Sequence, residues 1–315
     1  MQKRPLGRSG LQIAPLVFGG NVFGWTADRE TSFRLLDAFT DAGFNAVDTA
    51  EAYSSWVPGH KGGESETVIG DWLERSGRRD RVVIATKVGW HQGDTPGLLR
   101  AADIVRAAEA SLKRLRTDVI DLYQSHTDDP QTPFEETLGA FAKLIEQGKV
   151  RAIGASNISA PRLQQALEVS AREGLPRYES LQPPYNLYDR RSFEQDLQGV
   201  VEREGLGVIS YFGLAAGFLT GKYRSQDDLG KSPRGRGVGR YLDTRGFRIL
   251  GALDEIAAQT GATPAQIALA WIMAKPAVTA PIASATSVEQ VEELAKAADL
   301  TLDQATLKVL DEASA

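Results

Sequence analysis

Short apolar runs alternate with longer amphipathic stretches along almost the whole chain. Eight of the runs read as buried strands: 16–19, 44–48, 82–87, 120–126, 152–156, 180–182, 208–211 and 279–282. Between them the apolar positions recur at helical spacing. In 102–116, for example, Ile104, Val105, Ala108, Leu112 and Leu115 fall on one stripe. Helical stretches end in glycine (Gly43, Gly148, Gly174, Gly205) and a strand follows, as expected of a residue that accepts the left-handed closing conformation. Helix starts are marked too. Thr132-Pro133-Phe134-Glu135 and Thr263-Pro264-Ala265-Gln266 each combine a capping threonine, a first-turn proline and a Glu or Gln three residues on. Ser287-Val288-Glu289-Gln290 and Thr301-Leu302-Asp303-Gln304 repeat the box without proline.

Short strands alternating with helices predict a parallel sheet with right-handed crossovers. Eight of them predict closure into a (β/α)8 TIM barrel, one domain over residues 1–315. The alternative is an open doubly wound sheet, but no G-x-G-x-x-G follows an early strand. The beginning is different: residues 3–5 and 12–14 flank Leu6-Gly7-Arg8-Ser9-Gly10. This reads as a short N-terminal β-hairpin closing the barrel bottom. The segment 222–246 breaks the rhythm, with seven Lys/Arg against three Asp and no clear period. It reads either as a mobile solvated loop or as a basic flap over a bound phosphate.

Composition narrows the chemistry. A chain of 315 residues, 42% hydrophobic and 24% charged, has ample material for one large core. A net charge of −5 argues against nucleic acid or an anionic membrane as partner. The absence of cysteine excludes disulfides, zinc–thiolate and iron–sulfur sites, and thiol catalysis. No run approaches the ~18 apolar residues of a membrane span, and MQKRPLGRSG has no apolar core of signal-peptide length. The expected location is cytoplasmic, with no metal and with oligomeric state open.

Four polar residues stand at or just past predicted strand ends: Asp48, Tyr53, Lys87 and His126. Strand C-termini gather at one end of a barrel, where active sites form. Each residue alone would ordinarily be a satisfied structural group; together, on three successive strands, they suggest proton transfer. Tyrosine titrates near ~10, and a lysine cation beside it favours the phenolate. Asp48 could hold Lys87 charged, while Tyr53 and His126 donate to one carbonyl oxygen. The activated carbon then needs a nucleophile. Either Lys87 forms a Schiff base, as in a lyase, or a cofactor brings hydride.

The stretches around these residues resemble the aldo-keto reductases: Asp48-Thr49-Ala50-Glu51-Ala52-Tyr53 with Gly63-Glu64-Ser65-Glu66, Ala85-Thr86-Lys87, and Asp121-Leu122-Tyr123-Gln124-Ser125-His126. Further on come Gly154-Ala155-Ser156-Asn157, Leu181-Gln182-Pro183 and Gly217-Phe218-Leu219-Thr220-Gly221-Lys222. The resemblance covers nearly the whole chain with its motifs in order. It implies reduction of an aldehyde or ketone by NAD(P)H on a (β/α)8 barrel. Tyr53 would be the general acid, Lys87 with Asp48 would lower its pKa, and His126 would orient the carbonyl. Ser156, Asn157 and Gln182 would hold the nicotinamide carboxamide, and Tyr211 would stack on its ring. Leu214, Gly217, Leu219, Gly221 and Lys222 would wrap the pyrophosphate. Ile282, Ser284, Thr286 and Gln290, running into a helix N-terminus, would take the adenosine end.

Two departures from the family pattern bear on the cofactor. Tyr211-Phe212-Gly213-Leu214 stands where Tyr-Ser-Pro-Leu is common, and Ser284 and Gln290 stand where basic residues often grip a 2′-phosphate. NADP(H) is expected over NAD(H), with a weakened preference. Trp25, Trp56, Trp90 and Tyr185 fall in loops after strands and are the candidate substrate walls; rim packing between loops is the plain alternative. His60 and His91, also in loops, read as solvated. Some members of the superfamily are cofactor-sensing subunits of a channel or regulator, so that role stands beside the reductase and the lyase.

Overall fold

The computed structural model describes residues 2–90 and 98–315. His91 lies outside the described residues. Among the described residues there are ten strands: β1 (Arg4–Pro5), β2 (Gln12–Ile13), β3 (Val17–Gly19), β4 (Ala46–Asp48), β5 (Val83–Val88), β6 (Ile120–Ser125), β7 (Val150–Ser156), β8 (Tyr178–Gln182), β9 (Gly207–Ser210) and β10 (Ala280–Ala283). The last eight close into a barrel in the order β10-β3-β4-β5-β6-β7-β8-β9, with every neighbouring pair parallel. All eight expected strands are present, with ends shifted by a residue or two.

β1 and β2 form the expected antiparallel hairpin. Its Leu6, Leu11 and Ile13 pack with Val17, Ala46, Ala85, Leu122, Ala152, Ile209 and Ala280, the apolar filling of the barrel. The hairpin tip lies directly on the strand N-termini. A Cβ on Gly7 (φ 56°) would come within 2.2 Å of Glu179 O and 2.8 Å of Gly207 N, so only glycine permits this approach. A second, larger core fills the layer between strands and helices, with Trp72, Trp271, Tyr123 and Tyr178 among its fully buried rings.

The helix starts hold in part. Thr263 and Gln266 form the reciprocal box expected of them, and Ser287 caps the helix Val288–Lys296 through the Gln290 amide. Two expected caps are replaced. The helix Phe134–Glu146 is entered from Pro133, because the Thr132 hydroxyl is drawn to Asp129 at 2.7 Å. The last helix, Gln304–Ser314, is capped by Asp303 rather than Thr301, since a carboxylate is the stronger acceptor at a positive helix end.

Residues 222–246 are folded rather than a loose solvated loop. They form 3-10 turns at Gln226–Lys231, Gly235–Gly237 and Gly239–Tyr241 before the helix Thr244–Thr260 begins. Tyr223, Val238 and Tyr241 anchor them in the core. No helix among the described residues is long and apolar enough to cross a membrane.

Candidate active site

A cavity of about 1200 Å³ opens at the C-terminal ends of the barrel strands, and Asp48, Tyr53 and His126 line its floor. Asp48 ends β4, Lys87 is the penultimate residue of β5, and His126 follows β6 directly. Tyr53 reaches back from the turn after β4, where its amide closes on Ala50 O at 3.1 Å.

Lys87 is fully buried and uses all three ammonium protons. Its Nζ donates to Asp48 Oδ2 at 2.6 Å, to Thr49 O at 2.8 Å and to the Tyr53 hydroxyl at 2.9 Å. A charged ammonium has three donors and no acceptor, so the set is complete. Burial lowers the Lys87 pKa, and Asp48 opposes the shift. The Tyr53 hydroxyl donates in turn to Asp48 Oδ2 at 3.2 Å.

The sequence expectation for Tyr53 needs correction in one respect. Burial, and then the Asp48 carboxylate, hold the phenol well above its usual range. Lys87 is adjacent, but the anion beside it offsets its pull, so the resting Tyr53 is a neutral phenol with its proton in place. His126 is held well below the usual imidazole range by burial and then by the Lys87 charge, so it is neutral near pH 7. Its Nδ1 is buried without a protein partner.

The next strand ends carry a linked polar set. Ser156 ends β7, and its hydroxyl donates to Gln182 O at 2.8 Å. Asn157 Nδ2 donates to His126 O at 2.8 Å and to Ser156 Oγ at 3.1 Å. The Tyr211 hydroxyl donates to Asn157 Oδ1 at 2.8 Å. Gln182 ends β8, and its Nε2 donates to Asp48 Oδ1 at 2.8 Å. All four residues line the cavity.

At the far end Ile282, Ser284, Thr286 and Gln290 line the same cavity. Gln290 Oε1 accepts from the Thr286 amide at 2.8 Å and from its hydroxyl at 3.2 Å. Leu214, Gly217 and Lys222 also face it. Leu219 and Gly221 do not. The turn Ala215–Thr220 contains left-handed Ala216 (φ 56°) and Gly217 (φ 96°), which fold the Leu219 side chain into the core. Gly221 closes that turn, its amide on Phe218 O at 3.0 Å.

Of the four candidate substrate walls, three are in place. Trp25 and Trp56 meet edge to face at 5.6 Å, Trp56 meets the Tyr53 ring at 6.1 Å, and Trp90 covers His126 at 4.7 Å. Tyr185 is not in the cavity. The chain past β8 stays extended, with Pro184 bridging Tyr211, and carries Tyr185 into the helical layer. There it packs on Phe193 and Trp271 and bonds Glu194 at 2.6 Å. His60 lies apart from the cavity lining.

Several cavity residues were not anticipated. Phe212 is 48% exposed at the mouth, in a left-handed conformation (φ 58°). Glu293 lies at the far end, one helical turn beyond Gln290. Asn21 follows the Gly19-Gly20 pair; a Cβ on Gly19 would meet Ser284 Oγ at 2.5 Å. The folded 222–246 segment supplies Lys231 and Arg234. The Arg234 guanidinium lies 5.4 Å from the Trp25 ring centre and donates to Asn21 Oδ1 at 2.9 Å, while Asn21 donates to Ser284 Oγ at 2.7 Å. It has no carboxylate partner among the described residues, and burial lowers its pKa. The composition of the segment was its only signal in the sequence.

The chain is similar to known proteins over nearly its whole length. The chain is 35% identical to an uncharacterized oxidoreductase, YrpG, of Bacillus subtilis (strain 168), covering 99% of this chain and 95% of that protein. It is 32% identical to protein Tas of Escherichia coli (strain K12), over 99% and 97% of the two chains. It is also 35% identical to a probable voltage-gated potassium channel subunit beta of Oryza sativa subsp. japonica, over 95% and 92%. Residues 15–315 match the aldo/keto reductase family, and with a closed eight-stranded parallel barrel carrying Tyr53, Lys87, Asp48 and His126 at one mouth, the chain belongs to that family of oxidoreductases.

Proposed function

We propose that this protein reduces an aldehyde or ketone to an alcohol, with Tyr53 as the general acid. The observation that carries the reading is the Lys87 ammonium 2.9 Å from the Tyr53 hydroxyl, itself at the floor of a cavity large enough for a dinucleotide and a small carbonyl. The neutral phenol holds the proton that a carbonyl oxygen needs. As that proton leaves, the Lys87 contact stabilises the phenolate that forms. The neutral His126 imidazole offers an N–H to the same oxygen without adding a charge. Trp25, Trp56 and Trp90 give the mouth apolar walls that favour apolar carbonyls.

A nicotinamide cofactor supplies the hydride when bound. The lining of the cavity suits it in donor set: Ser156, Asn157 and Gln182 for the carboxamide, Tyr211 for the ring, Leu214, Gly217 and Lys222 along the middle, and Ile282, Ser284, Thr286 and Gln290 at the adenosine end. We read the cofactor as NADP(H). Ser284 and Gln290 are neutral, so the attraction for a phosphate falls to Lys222, Lys231 and Arg234 of the folded basic segment. The preference over NAD(H) is then smaller than with cations at those two positions.

Tyr53→Phe tests the reading. It should remove carbonyl reduction by ~10²-fold or more and leave NADPH binding, followed by tryptophan fluorescence, nearly intact; near-normal turnover would sink the assignment. Dissociation constants for NADPH and NADH measured in the same way test the cofactor, and tighter binding of NADH would reverse it. A second role, as a subunit that assembles with a channel, is favoured by the likeness to the rice protein. Tight cofactor binding without turnover on any carbonyl would support it.

A further inference from the structure

The Asp48 carboxylate serves more than the lysine. Its Oδ2 takes Lys87 and Tyr53, while its Oδ1 takes two amide donors, Gln182 Nε2 at 2.8 Å and Gln124 Nε2 at 3.4 Å. Gln124 Oε1 accepts from Gln182 Nε2 at 3.4 Å. Gln124 is fully buried on β6. Its side chain has no other hydrogen-bond partner among the described residues. An amide so placed costs stability unless bonded, so it must find its bonds at Asp48 and Gln182. The neighbouring strand makes the room: Gln124 pairs with Gly154, where a Cβ would come within 3.2 Å of Gln124 Cγ and 2.3 Å of Ser180 Oγ.

Gln182 faces two demands. Its amide donates to Asp48, and the same side chain lines the cavity where, on the reading above, the nicotinamide carboxamide docks. If Gln182 turns to the cofactor, Asp48 Oδ1 loses its shorter donor, and a buried carboxylate left short of donors is costly. The geometry points to Gln124 as a positioning residue that takes over Asp48 Oδ1 when Gln182 engages the carboxamide, so that cofactor binding leaves the anchor of Lys87 intact. This rests on the proposed Gln182–carboxamide contact.

Gln124→Met keeps the length of the side chain and removes the amide. It should weaken NADPH binding about tenfold, the scale of one hydrogen bond to a charged group. Binding of 2′-phospho-ADP-ribose, which lacks the nicotinamide, should be unchanged. Gln124→Asn, which retracts the amide by one methylene, should show the same selective loss. Unchanged affinity for both ligands in the two variants would overturn the takeover. An equal loss for both ligands would overturn it as well, because that is a structural effect. Wild-type protein that binds NADPH no more tightly than 2′-phospho-ADP-ribose would instead defeat the Gln182–carboxamide contact, so the two failures are distinguishable.

Discussion

Lys87→Met should be strongly destabilising, and combining it with Asp48→Asn should recover part of the loss. Both side chains of the pair are almost wholly buried, at 0% and 1% exposure. Removing the ammonium leaves Asp48 as a buried anion whose remaining donors, Tyr53, Gln182 and Gln124, are neutral. Breaking such a pair from one side costs ~3–5 kcal/mol; three surviving donors argue for the lower figure, about 3 kcal/mol. The Thr49 carbonyl also loses its donor at 2.8 Å, adding about 1 kcal/mol. In the double variant no charge is stranded, so roughly 2 kcal/mol should return as coupling between the sites. Urea unfolding of the four proteins, followed by tryptophan fluorescence, gives the cycle. A single variant as stable as the double would show that Asp48 is not held by Lys87, and the electrostatic account of the site would fall.

The His126 pKa is depressed in the fold by burial and by Lys87, so the unfolded chain binds the proton first. The stability this group contributes is full above ~6.5, the unfolded value, and is lost as pH falls toward the folded one. Wild-type protein should lose up to about 1 kcal/mol between pH 6.5 and 5.5 that His126→Phe does not lose; parallel slopes in urea unfolding would refute this. Gly154→Ala should cost ~1–3 kcal/mol by overpacking, since its Cβ would strike Ser180 Oγ and press on Gln124. A thermal unfolding midpoint equal to wild type would show that the space beside Gln124 is not constrained.

The barrel was legible because a parallel strand buried on both faces must be a short apolar run, and helices must pay out polar residues to solvent on one side only. Polar residues that end such runs are therefore conspicuous, and Asp48, Lys87, His126, Ser156 and Gln182 all lie where the reading put them. Tyr185 was misassigned because the direction of a side chain past a strand end depends on whether the strand pairing continues, which Pro184 and Tyr211 decide across the sheet. Leu219 was misassigned because the left-handed Ala216 that turns it inward has no signature in a residue of that type. Arg234 and Asn21 meet across more than two hundred residues, a contact that no local pattern encodes. Gln124 was hidden in plain view inside a motif read only for its histidine.

On the proposed reading, the cofactor side and the chemical side of this cavity are linked. Hydrogen bonds run from Tyr211 through Asn157 and Ser156 to the Gln182 carbonyl, and from the Gln182 side chain to Asp48, Lys87 and Tyr53. The route starts just past β9, passes the ends of β7, β8, β4 and β5, and also ties in the His126 carbonyl. At rest it contains one buried cation and one buried anion, with Tyr53 and His126 both neutral. On the proposed reading, delivery of the Tyr53 proton would create a second anion 2.9 Å from Lys87. In so buried a site that anion would be stabilised by a charged Lys87, which Asp48 and the Thr49 carbonyl hold in place. The donors to the other Asp48 carboxylate oxygen are Gln182 and Gln124. On the proposed reading, proton transfer from Tyr53 would therefore depend on two glutamines, one of which, Gln182, also lines the cavity.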